Sequence, residues 1–286
     1  MAFCEITSNN IIAKVSTKGA ELTGLWEKGR KHNWIWPAIE PWARNAPHLF
    51  PIVGRLNSDT INFNGQKYRL TQHGFARDLE FSVVDQSESM LHLSLNYNVE
   101  TLSVYPFRFS FEVIYTATDL GLDLVYRVRN LDSSQIFFNV GWHPAFVLPE
   151  QDKLALVVEG NSIFKGRFSL RDGLLDMSSF FALCERRLMI GEDAFAKDAW
   201  VIVYDAPETI SLSDVSGNSI TLRTGGAPFF GLWSKNPSKF LCIEPWWGVA
   251  DQVDFSGDFN EKFGIQTLAS GEFWTTKMTV ELRGVK

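Results

Sequence analysis

Cysteine is scarce in this chain: Cys4, Cys184 and Cys242 are the three among 286 residues. The number is odd and no C-x-x-C occurs, which argues against a disulfide framework or a zinc site and points to a reducing cytoplasm. No run of about 18 apolar residues exists, so no transmembrane helix is expected. Met1 to Ile12 lacks a basic stretch followed by an apolar one, so no secretory signal is expected either. Basic charge is in deficit: 27 Lys+Arg against 33 Asp+Glu leave a formal net charge of -6. Nucleic-acid and acidic-membrane binders need a basic face, so neither is an expected partner. The signatures G-x-G-x-x-G, G-x-x-x-x-G-K-[ST] and G-x-S-x-G are all missing, which disfavours a nucleotide cofactor and a serine hydrolase. Nothing has H-x-H or H-E-x-x-H spacing, so no catalytic metal is expected.

What is plentiful is aromatic: 10 Trp and 23 Phe. A large β core accounts for most of the Phe. The Trp have a second use, because sugar rings carry apolar C–H faces that stack on indoles while the indole N–H donates to a hydroxyl.

The dominant period is two. Ile61 to Phe63 and Lys67 to Leu70 flank Asn64-Gly65, a type I′ hairpin signal. Phe81 to Val84 pairs by pattern with Leu91 to Leu95, and Phe109 to Tyr115 with Leu122 to Val128. Ile210 to Leu212 does so with Ile220 to Leu222, and Thr275 to Leu282 reads as a last strand. No capped amphipathic run exceeds about ten residues. Many short strands joined by turns predict an all-β sandwich or barrel. No linker divides the chain, so residues 1–286 are expected to form one domain. Residues 150–200 mix short apolar runs with arginines and read as an excursion between strands.

Three segments break the alternation and set reactive groups among aromatics: 45–55 with 72–78 close behind, 140–146, and 240–251. Glu244, after Leu-Cys-Ile and before Pro-Trp-Trp, has an apolar context that would raise its pKa, as a general base requires. A structural ion pair explains it equally well. His143, between Trp142 and Pro144, has the chemistry of a proton donor near neutral pH. Taken alone, it is more readily a core histidine bonded to backbone, and His73 more readily a loop histidine. His48 receives no role.

Together these segments resemble the aldose 1-epimerase (mutarotase) family, in its divergent branch linked to lactose operons in some bacteria. The matching words are Ala46-Pro47, Leu49 to Arg55, His73 to Asp78, Tyr105 to Phe107, Gly141 to Phe146 and Cys242 to Trp246, in the family's order. The resemblance implies a large antiparallel β-sandwich of the galactose mutarotase-like supersandwich type. It implies a cofactor-free epimerase that interconverts sugar anomers as a monomer or homodimer. His143 would be the general acid and Glu244 the general base. Arg55 and His73 would bind substrate, with Asp198 the best match for an aspartate that holds a hydroxyl. Arg77 and Trp246 also fall within matching words and are further candidates for substrate binding. His48 departs from the branch, which has an aliphatic residue there, and Trp247 stands where other members have tyrosine or phenylalanine. The word around the base differs from that of galactose-specific relatives, so galactose does not carry over. A free aldohexose is the expected substrate. A hexose 6-phosphate clamped by arginines such as Arg44, Arg55 or Arg77 is the alternative, and a non-catalytic sugar-binding module a more distant one.

Overall fold

The computed structural model of the protein describes residues 2–150, 154–158, 162–204 and 209–284. Two large sheets dominate, and every pair of named strands is antiparallel. The larger sheet has nine strands, in the spatial order 187–189, 155–158, 209–213, 219–223, 273–283, 121–130, 109–118, 90–96 and 82–86. The other has eight. From its edge it runs 174–185, 164–171, 200–204, 229–233, 241–247, 140–142 and 48–49, with 145–146 also paired to 241–247. A three-stranded sheet of 3–7, 11–16 and 22–27 packs against strands 90–96, 109–118 and 121–130. Among the described residues the α-helix is confined to Val99–Val104, capped by Asn98 and Thr101.

Alternation makes the sandwich. Along Phe109–Thr118, Phe109, Phe111, Val113, Tyr115 and Ala117 point inward and are buried. Leu122, Leu124, Tyr126 and Val128 do the same on Gly121–Asn130. From the opposite layer, Phe50 stacks on Phe111 at 4.7 Å and leans on Phe109 at 5.0 Å. Burying one such ring contributes about 1.5–3 kcal/mol, so this aromatic layer is a main source of cohesion between the sheets. The Asn64-Gly65 hairpin forms as its residues predict: both adopt positive φ, 51° and 74°, between Thr60–Phe63 and Gln66–Arg69.

His48 acquires a structural role that its sequence context did not reveal. It lies fully buried, with Nδ1 against the Tyr126 hydroxyl and Nε2 2.7 Å from the Tyr115 hydroxyl and 3.0 Å from the Ala20 carbonyl. Burial pushes its pKa down to about 3, so it is a neutral strut between layers.

The expected excursion at 150–200 is in part a long hairpin. Phe164–Arg171 and Leu174–Glu185 extend the edge of the eight-stranded sheet. Its outer strand is mostly exposed and so lacks the in–out alternation that marks a half-buried strand.

Candidate active site

The strand Leu241–Trp247 is buried along its whole length. Its pleat turns Cys242, Glu244 and Trp246 to one side and Leu241, Ile243 and Trp247 into the main core, where Trp247 packs on Trp274 at 5.3 Å. One neighbour is interrupted. Val140 and Gly141 pair with Trp247 and Trp246, then Ala145 and Phe146 pair with Cys242 and Leu241. The break between them is His143-Pro144, opposite Pro245 of the facing strand, which has no N–H to give to a ladder. His143 thus leaves the pleat while its backbone N–H is held by the Pro47 carbonyl at 3.0 Å.

The interruption brings His143 and Glu244 together. His143 Nε2 lies 3.3 Å from Glu244 Oε2, and both residues are buried. Neither Glu244 oxygen nor His143 Nδ1 has a hydrogen-bond partner. Burial drives Glu244 well above the usual carboxylate range; the nearby Trp246 indole N–H pulls it back without closing a hydrogen bond, and Asp198 raises it further. Burial drives His143 down to about 3, with Arg77 and Arg44 contributing in the same direction. Burial thus pushes both members of the pair toward their uncharged forms.

Around this pair lies a cavity of about 550 Å³. Trp42 stacks on the His143 ring at 5.0 Å and 24°, while His73 and Trp233 meet it edge-on at 5.6 and 5.9 Å. His73 has φ 67° and accepts the Gly54 N–H at Nδ1, 3.1 Å, so its neutral ring carries the proton on Nε2 as a donor. Trp246 lies against the backbone of two neighbouring strands; a Cβ at Gly231 would meet its ring at 2.3 Å and one at Gly141 at 2.6 Å. Glycine at those positions is what lets the indole lie flat beside Glu244.

His73, Asp198, Arg77, Trp246, His143 and Glu244 all line this cavity. Arg55 does not. Its guanidinium turns outward, 3.1 Å from Asp59 and 3.3 Å from the Asp172 carbonyl, and its side chain is 44% exposed. The backbone of the Val-Gly-Arg word is used while its side chain is not: the Arg55 carbonyl takes the Asp251 N–H at 2.9 Å.

Several cavity residues escaped the sequence reading. The indoles beside His143 are Trp42 and Trp233; Trp142 is fully buried, donating to the Ala46 carbonyl at 3.2 Å. Trp233 carried a signal only in register, since it pairs with Cys242. Trp42 sits in a loop and carried none. Lys235 was also missed; it adds positive charge to the wall beside Arg44, one of the arginines expected to clamp a phosphate. Cys242 completes a buried group with His143 and Glu244, all three donor atoms lying within 4.8 Å of one another. Its 99-residue separation from His143 is invisible to spacing rules for metal ligands.

A concave β-sandwich cavity with a buried carboxyl–imidazole pair and an indole wall is suited to acid–base chemistry on a polyhydroxy ring. The family profile described as "Aldose 1-epimerase" matches residues 4–281. The plasmid-encoded protein LacX of Lactococcus lactis subsp. lactis is 28% identical over 277 residues, covering 90% of this chain and 92% of that one. A galactose mutarotase related enzyme from Lactobacillus acidophilus superposes with a TM-score of 0.93 at 31% identity, covering 99% of this chain and 98% of that one. A galactose mutarotase-like protein from Lactobacillus casei ATCC 334 superposes at 0.90 with 30% identity, covering 99% and 100%. The chain belongs to the aldose 1-epimerase family, and its fold is that of the galactose mutarotase-like proteins. No helix among the described residues is long and apolar enough to cross a membrane.

Proposed function

We propose that the protein interconverts the α and β anomers of a free aldohexose, with Glu244 as general base and His143 as general acid. The observation that carries this reading is the 3.3 Å approach of two buried titratable groups with unsatisfied polar atoms at a sugar-sized cavity.

Anomerisation removes the proton from O1, protonates the ring oxygen and breaks the C1–O5 bond. Rotation about C1–C2 and attack on the other carbonyl face then reclose the ring. The chemistry asks for a base and an acid that share one proton, and the 3.3 Å approach of His143 Nε2 to Glu244 Oε2 supports that sharing. An O1 hydroxyl donating to Glu244 favours the carboxylate, and a ring oxygen accepting from His143 favours the imidazolium. Substrate thus moves the proton from Oε2 to Nε2. Glu244 takes the O1 proton, His143 gives its own to O5, and reclosure reverses both transfers. Each such group supplies about 10²–10⁴-fold. His73 Nε2–H and Asp198 are the hydroxyl partners in this reading, and Trp42, Trp233 and Trp246 face the ring.

A second reading, a hexose 6-phosphate, draws on Arg44, Arg77 and Lys235 at the cavity. Two of the three are engaged: Arg44 pairs with Asp78 at 2.8 Å, and Arg77 donates to the Gln72 carbonyl at 2.7 Å. Asp198 faces the same space, which favours the neutral sugar. The deciding experiment is an NMR mutarotation assay on purified protein with α-anomers of free and 6-phosphorylated hexoses. Failure to accelerate equilibration of any of them, with binding retained, would leave a sugar-binding module.

A further inference from the structure

Cys242 has no part in the proton transfers, yet its thiol is buried beside them. Cys242 and Glu244 are two residues apart on one rigid strand and so share a face, and His143 enters from the neighbouring chain break. Sulfur, oxygen and nitrogen lie within 4.8 Å of one another, and the carboxylate oxygens have no hydrogen-bond partner. From these positions we propose that His143, Cys242 and Glu244 also form a binding site for a thiophilic divalent cation of the Zn²⁺ class, whose occupation switches the acid–base pair off.

The donor chemistry sets the class of ion. Thiolate, imidazole and carboxylate are the three ligand types that Zn²⁺ takes, and three protein ligands with one position open to a cavity is a stable arrangement for it. A thiolate disfavours Mg²⁺ and Ca²⁺, which seek oxygen. Binding releases the Cys242 thiol proton and the Glu244 carboxyl proton to solvent, and the resulting thiolate and carboxylate neutralise the dication, as burial of an ion demands. The bound metal would occupy the Glu244 and His143 lone pairs that the sugar needs, so sugar and metal exclude each other. The inhibitory consequence rests on the acid–base reading above; the binding itself does not.

The test uses the chelator-treated full-length protein with Co²⁺ as a spectroscopic probe. Wild type should develop a thiolate-to-cobalt charge-transfer band and intense visible bands at one equivalent. Zn²⁺ should abolish them, and saturating sugar should suppress them. Cys242→Ala and Cys242→Ser should lose the charge-transfer band. Inhibition by Zn²⁺, measured against each variant's own metal-free rate, should weaken at least about tenfold. Absence of the band in wild type, or its persistence in either folded Cys242 variant, overturns the proposal. If neither variant folds, a wild-type band indifferent to saturating sugar overturns it. A band without any mutarotation would defeat the functional reading and leave the metal site standing; mutarotation without a band does the reverse.

Discussion

His143 Nε2 and Glu244 Oε2 stand 3.3 Å apart in a buried pocket, close enough to exchange a proton yet not aligned into a hydrogen bond. Two such groups titrate as a unit, so their roles are properties of the pair.

Replacing one member should therefore disable both. Glu244→Gln keeps size and removes the base; His143→Asn removes the acid. Each should cost at least about 10²-fold in kcat with little change in the fold. The double variant should be barely worse than the worse single one, since both serve one proton cycle. Steady-state polarimetry on folded variants checks this, and near-wild-type turnover by Glu244→Gln would refute the base assignment.

The pH profile of kcat/KM should lack an acid limb near 6.5. Burial lowers His143 to about 3 and raises Glu244 well above the usual carboxylate range, which moves the histidine's titration away from 6.5. Activity should stay level between about pH 5 and 7 and decline only on the alkaline side. An acid limb centred near 6.5 would mean that His143 titrates as a solvated imidazole.

Arg55→Ala should leave kcat and KM within about twofold, because an exposed pair with Asp59 is worth about 0–1 kcal/mol and lies off the cavity. Arg77→Ala should raise KM more, since Arg77 lines the cavity. A tenfold loss on Arg55→Ala would restore the substrate-binding role that the family implies.

Free glucose or galactose should be turned over with a higher kcat/KM than its 6-phosphate at low and moderate salt. Lys235→Ala should change the free-sugar value less than about threefold. A phosphate preference of about tenfold, shrinking with salt and lost in Lys235→Ala, would promote the phosphorylated substrate.

His48 should make the fold acid-sensitive independently of the site. Its folded pKa, about 3, lies below its unfolded value, so its contribution is present above about pH 6.5 and lost as pH falls toward 3. Urea unfolding of wild type and His48→Gln should show the wild-type stability falling relative to the variant by about 1.4 kcal/mol per pH unit between pH 6 and 4. A difference independent of pH would show that His48 is charged in the fold.

The sequence by itself determined an all-β fold of paired strands, because in–out alternation is a local property of the pleat and needs no knowledge of the partner strand; alternation left sandwich and barrel open, and the family resemblance pointed to the sandwich. The same rule placed Glu244 on the face of Cys242 and opposite Ile243, and turn chemistry placed the Asn64-Gly65 hairpin. Family words drew His143, Glu244, His73, Asp198, Arg77 and Trp246 toward one site. Only the tertiary structure decided which side chains meet there. Arg55 sits in a matching word yet finds Asp59 nearer than the cavity, while Trp42 and Lys235 reach the cavity from stretches with no signal. Loop side chains are aimed by contacts with distant segments, and no spacing in the chain records those. The lowering of His143 from the neutral range to about 3 was hidden for the same reason: it follows from burial on every side, which strands far apart in the chain supply together.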